Sequence, residues 1–242
     1  VPGGEGGIAI AEVIFGRYNP GGRLPLTWYK NKYIEQISMT CMELRPVAKQ
    51  WRTQELKIGV AKHGYPGRTY KFYTGPGVLY PFGHGLSYTM FPLHETSCNG
   101  TTVRMPVAGG HCKGLSYRPS ALSTFASSSA APPSCEAINV DGHACEETVS
   151  FNVSVIYGGS RDGAHAVLVA DAPVKQVAAF RRVLVPTGTG STVTEKFTLN
   201  VCRSFGIVER TAYKVVPPGV STVLVQNGDS SVSFPVKIDF SV

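Results

Sequence analysis

The C-terminal end of the chain alternates between apolar and polar residues, and this alternation constrains the fold more than any other feature. From position 232 onward, apolar residues occupy every second position and most of the residues between them are polar. The apolar set is Val232, Phe234, Val236, Ile238, Phe240 and Val242. Because successive side chains of a β-strand point to opposite faces, a period of two predicts an antiparallel strand with one buried face.

The same signature recurs through residues 135–242. Residues 149–155 alternate in the same way, and further apolar stretches lie at 164–170, 177–185, 192–201, 213–216 and 220–225. Turn-forming Gly, Pro, Asn and Asp separate these stretches. About seven strands with regular turn signals are typical of a β-sandwich.

The N-terminal quarter has a different pattern, which indicates an α/β layer. Residues 8–17 are apolar nearly all round and include Gly16, a residue suited to terminate a helix. We therefore expect a buried helix there. Residues 24–28 predict a short strand, which Pro20 and Pro25 restrict to the edge or end of a sheet. The predicted fold class is therefore α/β plus all-β.

Residues 64–91 join these two parts and are dense in glycine, proline and aromatic residues, as in a long ordered loop. Residues 47–63 are basic and lack both periodicity and turn signals, so we interpret them as a surface insertion. Residues 95–134 are interpreted as a linker, because they include a tract rich in Ser, Ala and Pro. The predicted domains are therefore 1–94 and 135–242.

The formal net charge of +7 is compatible with an anionic partner, but its distribution argues against nucleic acid. The basic residues are scattered, and no nucleic-acid-binding motif is evident. A solvated basic surface is the simpler interpretation, and attraction to an acidic wall polymer is the alternative. No stretch approaches the ~18 uninterrupted apolar residues of a membrane-spanning helix, so we expect no membrane partner.

Six cysteines and two glycosylation sequons favour a secreted protein with some disulfides. The cysteines lie at none of the spacings of a zinc site, so we expect no metal, and no motif indicates a cofactor. The sequons place Asn99 and Asn152 as glycosylation candidates. Spacing alone leaves the disulfide pairing open among Cys41, Cys98, Cys112, Cys135, Cys145 and Cys202.

Four sequence blocks carry a resemblance to a known family. They are EGGIAIAEVIFGRYNPGGRLPLTWY (5–29), ISMTCMELRP (37–46), GYPGRTYKFY (64–73) and YPFGHGLSYTMF (80–91). Their order and spacing resemble the C-terminal part of glycoside hydrolase family 3, in its plant β-xylosidase / α-L-arabinofuranosidase subgroup. Residues 135–242 resemble, more loosely, the fibronectin type III-like β-sandwich that ends such enzymes. Plant members also carry cysteines at the positions of Cys135, Cys145 and Cys202, which are therefore disulfide candidates.

The resemblance implies a partial α/β sandwich domain at residues 1–94 and a retaining O-glycosyl hydrolase. Such an enzyme breaks down xylan and arabinan in the extracellular cell wall, so the implied partner is a wall polysaccharide or oligosaccharide. In the family, a barrel domain supplies an aspartate nucleophile, and a glutamate upstream of the first block is the acid/base. Neither position has a counterpart in this chain. We therefore assign no catalytic residue and expect the chain to be inactive without the barrel domain.

Arg45, Arg68 and Tyr70 are the substrate-binding candidates, since the equivalent loop faces the barrel in the family. Arginine donates paired hydrogen bonds, and tyrosine offers a ring face to a sugar. The alternative interpretation is that Arg68 and Tyr70 only fasten the loop to the sandwich domain. At the level of the whole chain, the alternative function is a non-catalytic module that binds carbohydrate or a protein.

Overall fold

The computed structural model describes residues 3–37, 42–46, 66–73, 75–99, 102–107, 111–115, 135–140, 145–159, 161–171, 176–188, 190–209, 212–228 and 230–241. The predicted insertion at 47–63 lies outside these residues, as does most of the predicted linker. The described structure is mostly β-sheet with few, short helices. None of the helices in these ranges is long and apolar enough to cross a membrane.

A three-stranded antiparallel sheet forms one layer of the C-terminal part. Its strands, in spatial order, are β10 (Thr192–Asn200), β7 (Thr148–Ile156) and β3 (Leu93–Asn99). Hydroxyl pairs link β7 to β10: Ser150 Oγ lies 3.0 Å from Thr198 Oγ1, and Ser154 Oγ lies 2.8 Å from Thr194 Oγ1. Such cross-strand pairs contribute about 0.2–1 kcal/mol each and help to fix the register.

A five-stranded sheet forms the second layer. Its strands, in spatial order, are β4 (Thr102–Pro106), β14 (Ser231–Ser241), β13 (Gly219–Gln226), β8 (Gly163–Asp171) and β9 (Gln176–Val185). All neighbours are antiparallel except β4 and β14, which run parallel.

Alternating residues of the two sheets meet in one apolar core. The Phe151 ring of β7 stacks on Phe197 of β10 and contacts Phe234 of β14, with centroid distances of 5.5 and 4.7 Å. Along β14, Phe234, Val236 and Ile238 are all buried. Full burial of such a side chain contributes about 1.5–3 kcal/mol. The predicted period of two in β14 is therefore confirmed.

A small four-stranded sheet and a short helix complete this part. The sheet contains β11 (Ile207–Val208), β12 (Lys214–Val216), β6 (Ala137–Asn139) and β5 (Cys112–Lys113), and the helix is α4 (Val201–Phe205). The Asn200 side chain caps α4 by accepting a hydrogen bond from the Arg203 backbone at 2.9 Å. Strand β12 completes the set of seven strands predicted between residues 149 and 242. All seven are present, as β7 to β10 and β12 to β14.

Two disulfides fasten the small sheet and α4. Cys112 of β5 is bonded to Cys135, and Cys145 is bonded to Cys202 of α4. All three candidate cysteines are therefore bonded, and Cys112 is a partner that was not among them. Spacing left the pairing open because only the folded chain decides which Cα atoms come within bonding reach.

The structure differs from the predicted linker at 95–134. Strand β3 pairs with β7, and β4 pairs with β14, so both belong to the two-sheet unit. Leu93 of β3 and Met105 of β4 lie in its core. Both are edge strands, and their long neighbours supply the backbone hydrogen bonds. They therefore need less alternation of their own, and the sequence between 95 and 107 did not reveal them.

The N-terminal part contains three short helices and a two-stranded sheet. These elements are α1 (Gly6–Ile14), β1 (Trp28–Tyr29), α2 (Tyr33–Gln36), α3 (Thr69–Phe72) and β2 (Val78–Tyr80). The strand expected at 24–28 is displaced to β1. The reason is that Leu24 exchanges backbone hydrogen bonds with Gly83 and His84, at 2.9 and 2.8 Å, and so lies outside the ladder.

Helix α1 is present, but it is exposed rather than buried as expected. Ile8 is 60% exposed and Ile14 is 66% exposed. The helix is followed by Gly16 with φ +71°, a conformation that glycine adopts readily. Its existence and its stop are therefore confirmed, whereas the described residues do not bury its apolar face.

Candidate functional site

Tyr88 and Thr89, just before β3, join the N-terminal part to the two-sheet unit. The Tyr88 hydroxyl donates a hydrogen bond to the carbonyl of Val13 in α1 at 2.7 Å. The Arg161 guanidinium lies over the Tyr88 ring, 5.6 Å from its centroid. Thr89 Oγ1 donates to the Arg161 carbonyl at 2.8 Å. These contacts hold α1 of the N-terminal part against the segment before β3 and the loop that contains Arg161.

Three tyrosines pack together between β1, α2 and the end of α3. Tyr29 and Tyr33 stack with their ring centroids 3.9 Å apart, and Tyr73 meets both edge-on at 4.9 and 5.5 Å. The Tyr73 hydroxyl accepts a hydrogen bond from the backbone of Gly77 at 3.1 Å. Because edge-to-face contacts add to the burial energy, this cluster holds the short helices together without a large core.

The environment of the cluster disfavours phenolate. Burial raises the pKa of Tyr29 to about 12, and the neighbouring Tyr33 acts in the same direction. Burial also raises the pKa of Tyr33, although the positive charge of Arg68 opposes that shift. The Arg68 guanidinium is therefore close enough to the cluster for its charge to act on Tyr33.

The turn that leads into α3 has an unusual backbone. Gly67 has φ +83°, and a Cβ there would lie 2.5 Å from the carbonyl oxygen of Phe72, so no side chain fits. Thr69 has φ +62°, which is rare for a β-branched residue. The backbone N–H of Arg68 donates to the carbonyl of Leu44 at 2.8 Å. This bond joins the 42–46 segment to α3.

Arg45 and Tyr70 each lie against an aromatic ring. The Arg45 guanidinium carbon is 5.1 Å from the centroid of the Phe72 ring, within cation–π range. Tyr70 stacks on Phe82, with the ring centroids 4.1 Å apart and 16° between the ring planes. Arg45 is exposed, and Tyr70 is half-buried.

The structure brings the three predicted substrate-binding residues together around α3. Arg68 immediately precedes α3, Tyr70 lies within it, and Arg45 is adjacent through the Leu44–Arg68 hydrogen bond and the Phe72 ring. The same contacts hold the loop in place. The geometry is therefore compatible both with sugar contact and with a purely structural role.

The aromatic residues that support this arrangement were not among the predicted site residues. They are Tyr29, Tyr33, Phe72, Tyr73 and Phe82. For Phe72, Tyr73 and Phe82, the signal in the sequence is the density of Tyr and Phe between 70 and 82. Trp28 is 51% exposed and meets Tyr80 edge-on at 6.4 Å.

The two candidate glycosylation sites both lie on the three-stranded sheet. Asn152 is half-buried in β7, opposite Lys196 of β10. Asn99 is the last residue of β3, and its backbone is opposite Ser150. Glycan attachment at either residue stays a prediction.

The side chains around α3 are suited to binding polar ligands. Guanidinium, ammonium and phenol groups all donate hydrogen bonds to hydroxyl or carboxylate oxygens. Within the described ranges, no three His, Cys, Asp or Glu side chains lie close enough together to hold a metal ion.

Comparison with protein families matches residues 1–88 to the glycosyl hydrolase family 3 C-terminal domain. These residues contain α1 to α3, the β1–β2 sheet and the predicted substrate-binding residues.

Curated relatives extend the similarity over most of the chain. The chain is 35% identical over 230 residues to β-D-xylosidase 1 of Arabidopsis thaliana, covering 90% of this chain and 26% of that protein. It is 32% identical over 241 residues to β-xylosidase/α-L-arabinofuranosidase 1 of Medicago sativa subsp. varia, covering 96% of this chain and 27% of that protein. The chain therefore spans about a quarter of the length of these relatives.

Solved structures show the same fold. A β-glucosidase from Listeria innocua matches the whole chain with a TM-score of 0.62 at 20% identity, over 27% of that protein. A family 3 exo-β-xylosidase in complex with a xylobiose aziridine probe matches 97% of the chain with a TM-score of 0.61 at 24% identity, over 26% of that protein. The chain thus belongs to glycoside hydrolase family 3: residues 1–88 match its C-terminal domain, and most of the chain is related to the plant β-xylosidases and β-xylosidase/α-L-arabinofuranosidases.

Proposed function

We propose that the chain serves in a secreted, retaining glycoside hydrolase that removes xylose or arabinose from cell-wall xylan and arabinan. The observation that carries this proposal is the 32–35% identity to plant β-xylosidases over at least 90% of the chain. The two disulfides support an oxidising, extracellular compartment. We further propose that the two-sheet unit is the fibronectin type III-like domain of such an enzyme.

The isolated 242-residue chain is proposed to be inactive. Retaining hydrolysis needs two carboxyl groups about 5 Å apart, and the family assigns both to segments that this sequence does not match. The exposed apolar face of α1, with Ile8 and Ile14, is proposed to pack against those segments. Arg45, Arg68 and Tyr70 are then proposed to contact the sugar.

The test is release of the chromophore from an aryl β-xyloside. We expect no turnover by the chain alone, and turnover when the chain is fused behind the preceding segments of a related β-xylosidase. Within that fusion, Arg45→Ala should raise KM, whereas Arg181→Ala, at an exposed residue of β9, should not. Turnover by the chain alone would show that the catalytic carboxylates were assigned wrongly.

The alternative function, a non-catalytic carbohydrate- or protein-binding module, predicts a different experimental result. It predicts saturable binding of xylan or arabinoxylan by the chain, with no hydrolysis by the fusion. A fusion that hydrolyses the aryl xyloside excludes this alternative.

A further inference from the structure

Basic and aromatic residues lie in and beside α3, and we call Arg45, Arg68, Tyr70 and Lys71 together the α3 surface. Arg45 is placed by the Phe72 ring, and Tyr70 is placed by its stack on Phe82. Lys71 follows Tyr70 in the same helical turn. The charge of Arg68 reaches the tyrosine cluster, since it acts on Tyr33.

The charge of this region is net positive. The described segments 28–37, 42–46 and 66–73 contain five basic residues, Lys30, Lys32, Arg45, Arg68 and Lys71, and two acidic residues, Glu35 and Glu43. In the sequence, no Asp or Glu occurs between positions 56 and 94. A surface with net positive charge attracts anions, so it favours a negatively charged sugar over a neutral sugar.

The contact of Arg45 with the Phe72 ring uses none of its hydrogen-bond donors. A cation over a ring is attracted by the electrons of the ring face and uses none of the five N–H donors of the guanidinium. Those donors match the two oxygens of a carboxylate, and the resulting charge-assisted bonds are about twice as strong as neutral ones. A neutral xylose residue offers hydroxyl groups only, so it makes no such pair.

We propose that the α3 surface binds the carboxylate of a uronic acid carried on a xylo-oligosaccharide. Arg45 supplies the paired donors, Lys71 and Arg68 supply the surrounding positive charge, and Tyr70 contacts the ring of the sugar. This inference rests on the proposed function, because it assigns the acidic substituent of the same class of substrate to the residues proposed there to contact sugar.

The test compares two ligands on the complete 242-residue chain by titration calorimetry. One ligand is a neutral linear xylo-oligosaccharide, and the other is the same oligosaccharide with one glucuronic acid branch. We expect the acidic ligand to bind at least about tenfold more tightly at low ionic strength, and we expect the preference to shrink at high ionic strength. Arg45→Gln and Lys71→Gln should each reduce it.

Arg181→Gln is the matched control, because it removes one exposed positive charge from strand β9 with the same substitution. It should keep the preference, and thermal melting should confirm that all three variants are folded. Loss of the preference in Arg45→Gln but not in Arg181→Gln supports the proposal. An equal loss in both variants would mean a diffuse charge effect and would overturn it.

Two further results would overturn the proposal while leaving the hydrolase assignment intact. One is equal affinity for the neutral and acidic ligands, or no binding of either, together with turnover by the fusion enzyme. The other is an oligogalacturonide that binds as tightly as the acidic xylo-oligosaccharide and depends equally on Arg45, since the specificity would then be for pectic acid. Failure of the hydrolase assignment is seen separately, as a fusion that does not release the aryl group.

Discussion

Asn19 and Thr89 are 70 residues apart in the sequence and meet in the fold, where Asn19 Nδ2 donates a hydrogen bond to Thr89 Oγ1 at 3.3 Å. The same nitrogen donates to the carbonyl of Asp162 at 3.1 Å. Asn19 Oδ1 accepts from Ser87 Oγ at 2.8 Å and from the backbone of Tyr88 at 2.9 Å. One buried amide thus joins the N-terminal part, the segment before β3 and the turn between β7 and β8.

Replacing this amide should destabilise the protein. In Asn19→Ala, the buried Thr89 hydroxyl, the backbone N–H of Tyr88 and the carbonyl of Asp162 lose their hydrogen bonds to this amide. Loss of a buried partner of this kind costs about 1–3 kcal/mol. We expect a fall of that size in the free energy of unfolding, measured by denaturant titration. Asn31→Ala, at an exposed asparagine, should change it by less than about 0.5 kcal/mol. If the two variants were equally stable, the junction would contribute nothing.

The core of the two-sheet unit should be sensitive at Phe151. This ring contacts both Phe197 and Phe234 and is 2% exposed, so Phe151→Ala removes contacts within both layers of the core. We expect a loss of about 3–5 kcal/mol in the free energy of unfolding. Phe180→Ala is the matched control, because Phe180 is 72% exposed on β9. A similar loss in both variants would contradict the assignment of the core.

The tyrosine cluster should make stability depend on pH in the alkaline range. The folded protein holds the Tyr29 proton up to about pH 12, whereas the unfolded chain releases it at about pH 10. The contribution of Tyr29 to stability is therefore fully present below pH 10 and is lost as the pH rises towards 12. Tyr33 shifts in the same direction.

We expect the denaturation midpoint to fall between these two pH values, and to fall less steeply in Tyr29→Phe. The phenolate absorbance of the folded protein should lose its latest-titrating component in the same variant. Identical pH profiles for the wild type and Tyr29→Phe would show that the burial of Tyr29 does not affect its ionisation.

The strands were predictable from the sequence where a single local pattern determines them. In β14, each apolar residue faces the core and each intervening one does not, so alternation around Phe234 and Val236 is sufficient. Strands β3 and β4 were missed because edge strands obtain their backbone hydrogen bonds from a distant neighbour. No local window of the sequence contains that neighbour.

The candidate site was only partly predictable, for the same reason. Arg45, Arg68 and Tyr70 could be named from a family resemblance. Their supports, however, are contacts between segments that are separated in the sequence, such as the Arg68–Leu44 backbone bond and the Tyr70–Phe82 stack. Geometry of this kind follows from the tertiary fold and not from residue type or spacing.

The pairing of β3 and β4 predicts where a stable fragment must begin. A fragment of residues 91–242 keeps three core residues, Phe91, Leu93 and Met105, and it keeps both disulfides. A fragment of residues 135–242 loses all three residues and the partner of Cys135. It also leaves β7 and β14 with unpaired edges, which favours aggregation.

We therefore expect residues 91–242 to be monodisperse and to unfold cooperatively, whereas residues 135–242 should aggregate or melt at a markedly lower temperature. Size-exclusion chromatography and thermal melting of the two fragments test this. Adding Met105→Ala to the longer fragment separates packing from edge protection, because it removes a buried side chain, at a cost of about 2–5 kcal/mol, and keeps both strands. If the two fragments had equal melting temperatures, β3 and β4 would not be integral to the unit, and the boundary expected from sequence at residue 135 would be correct.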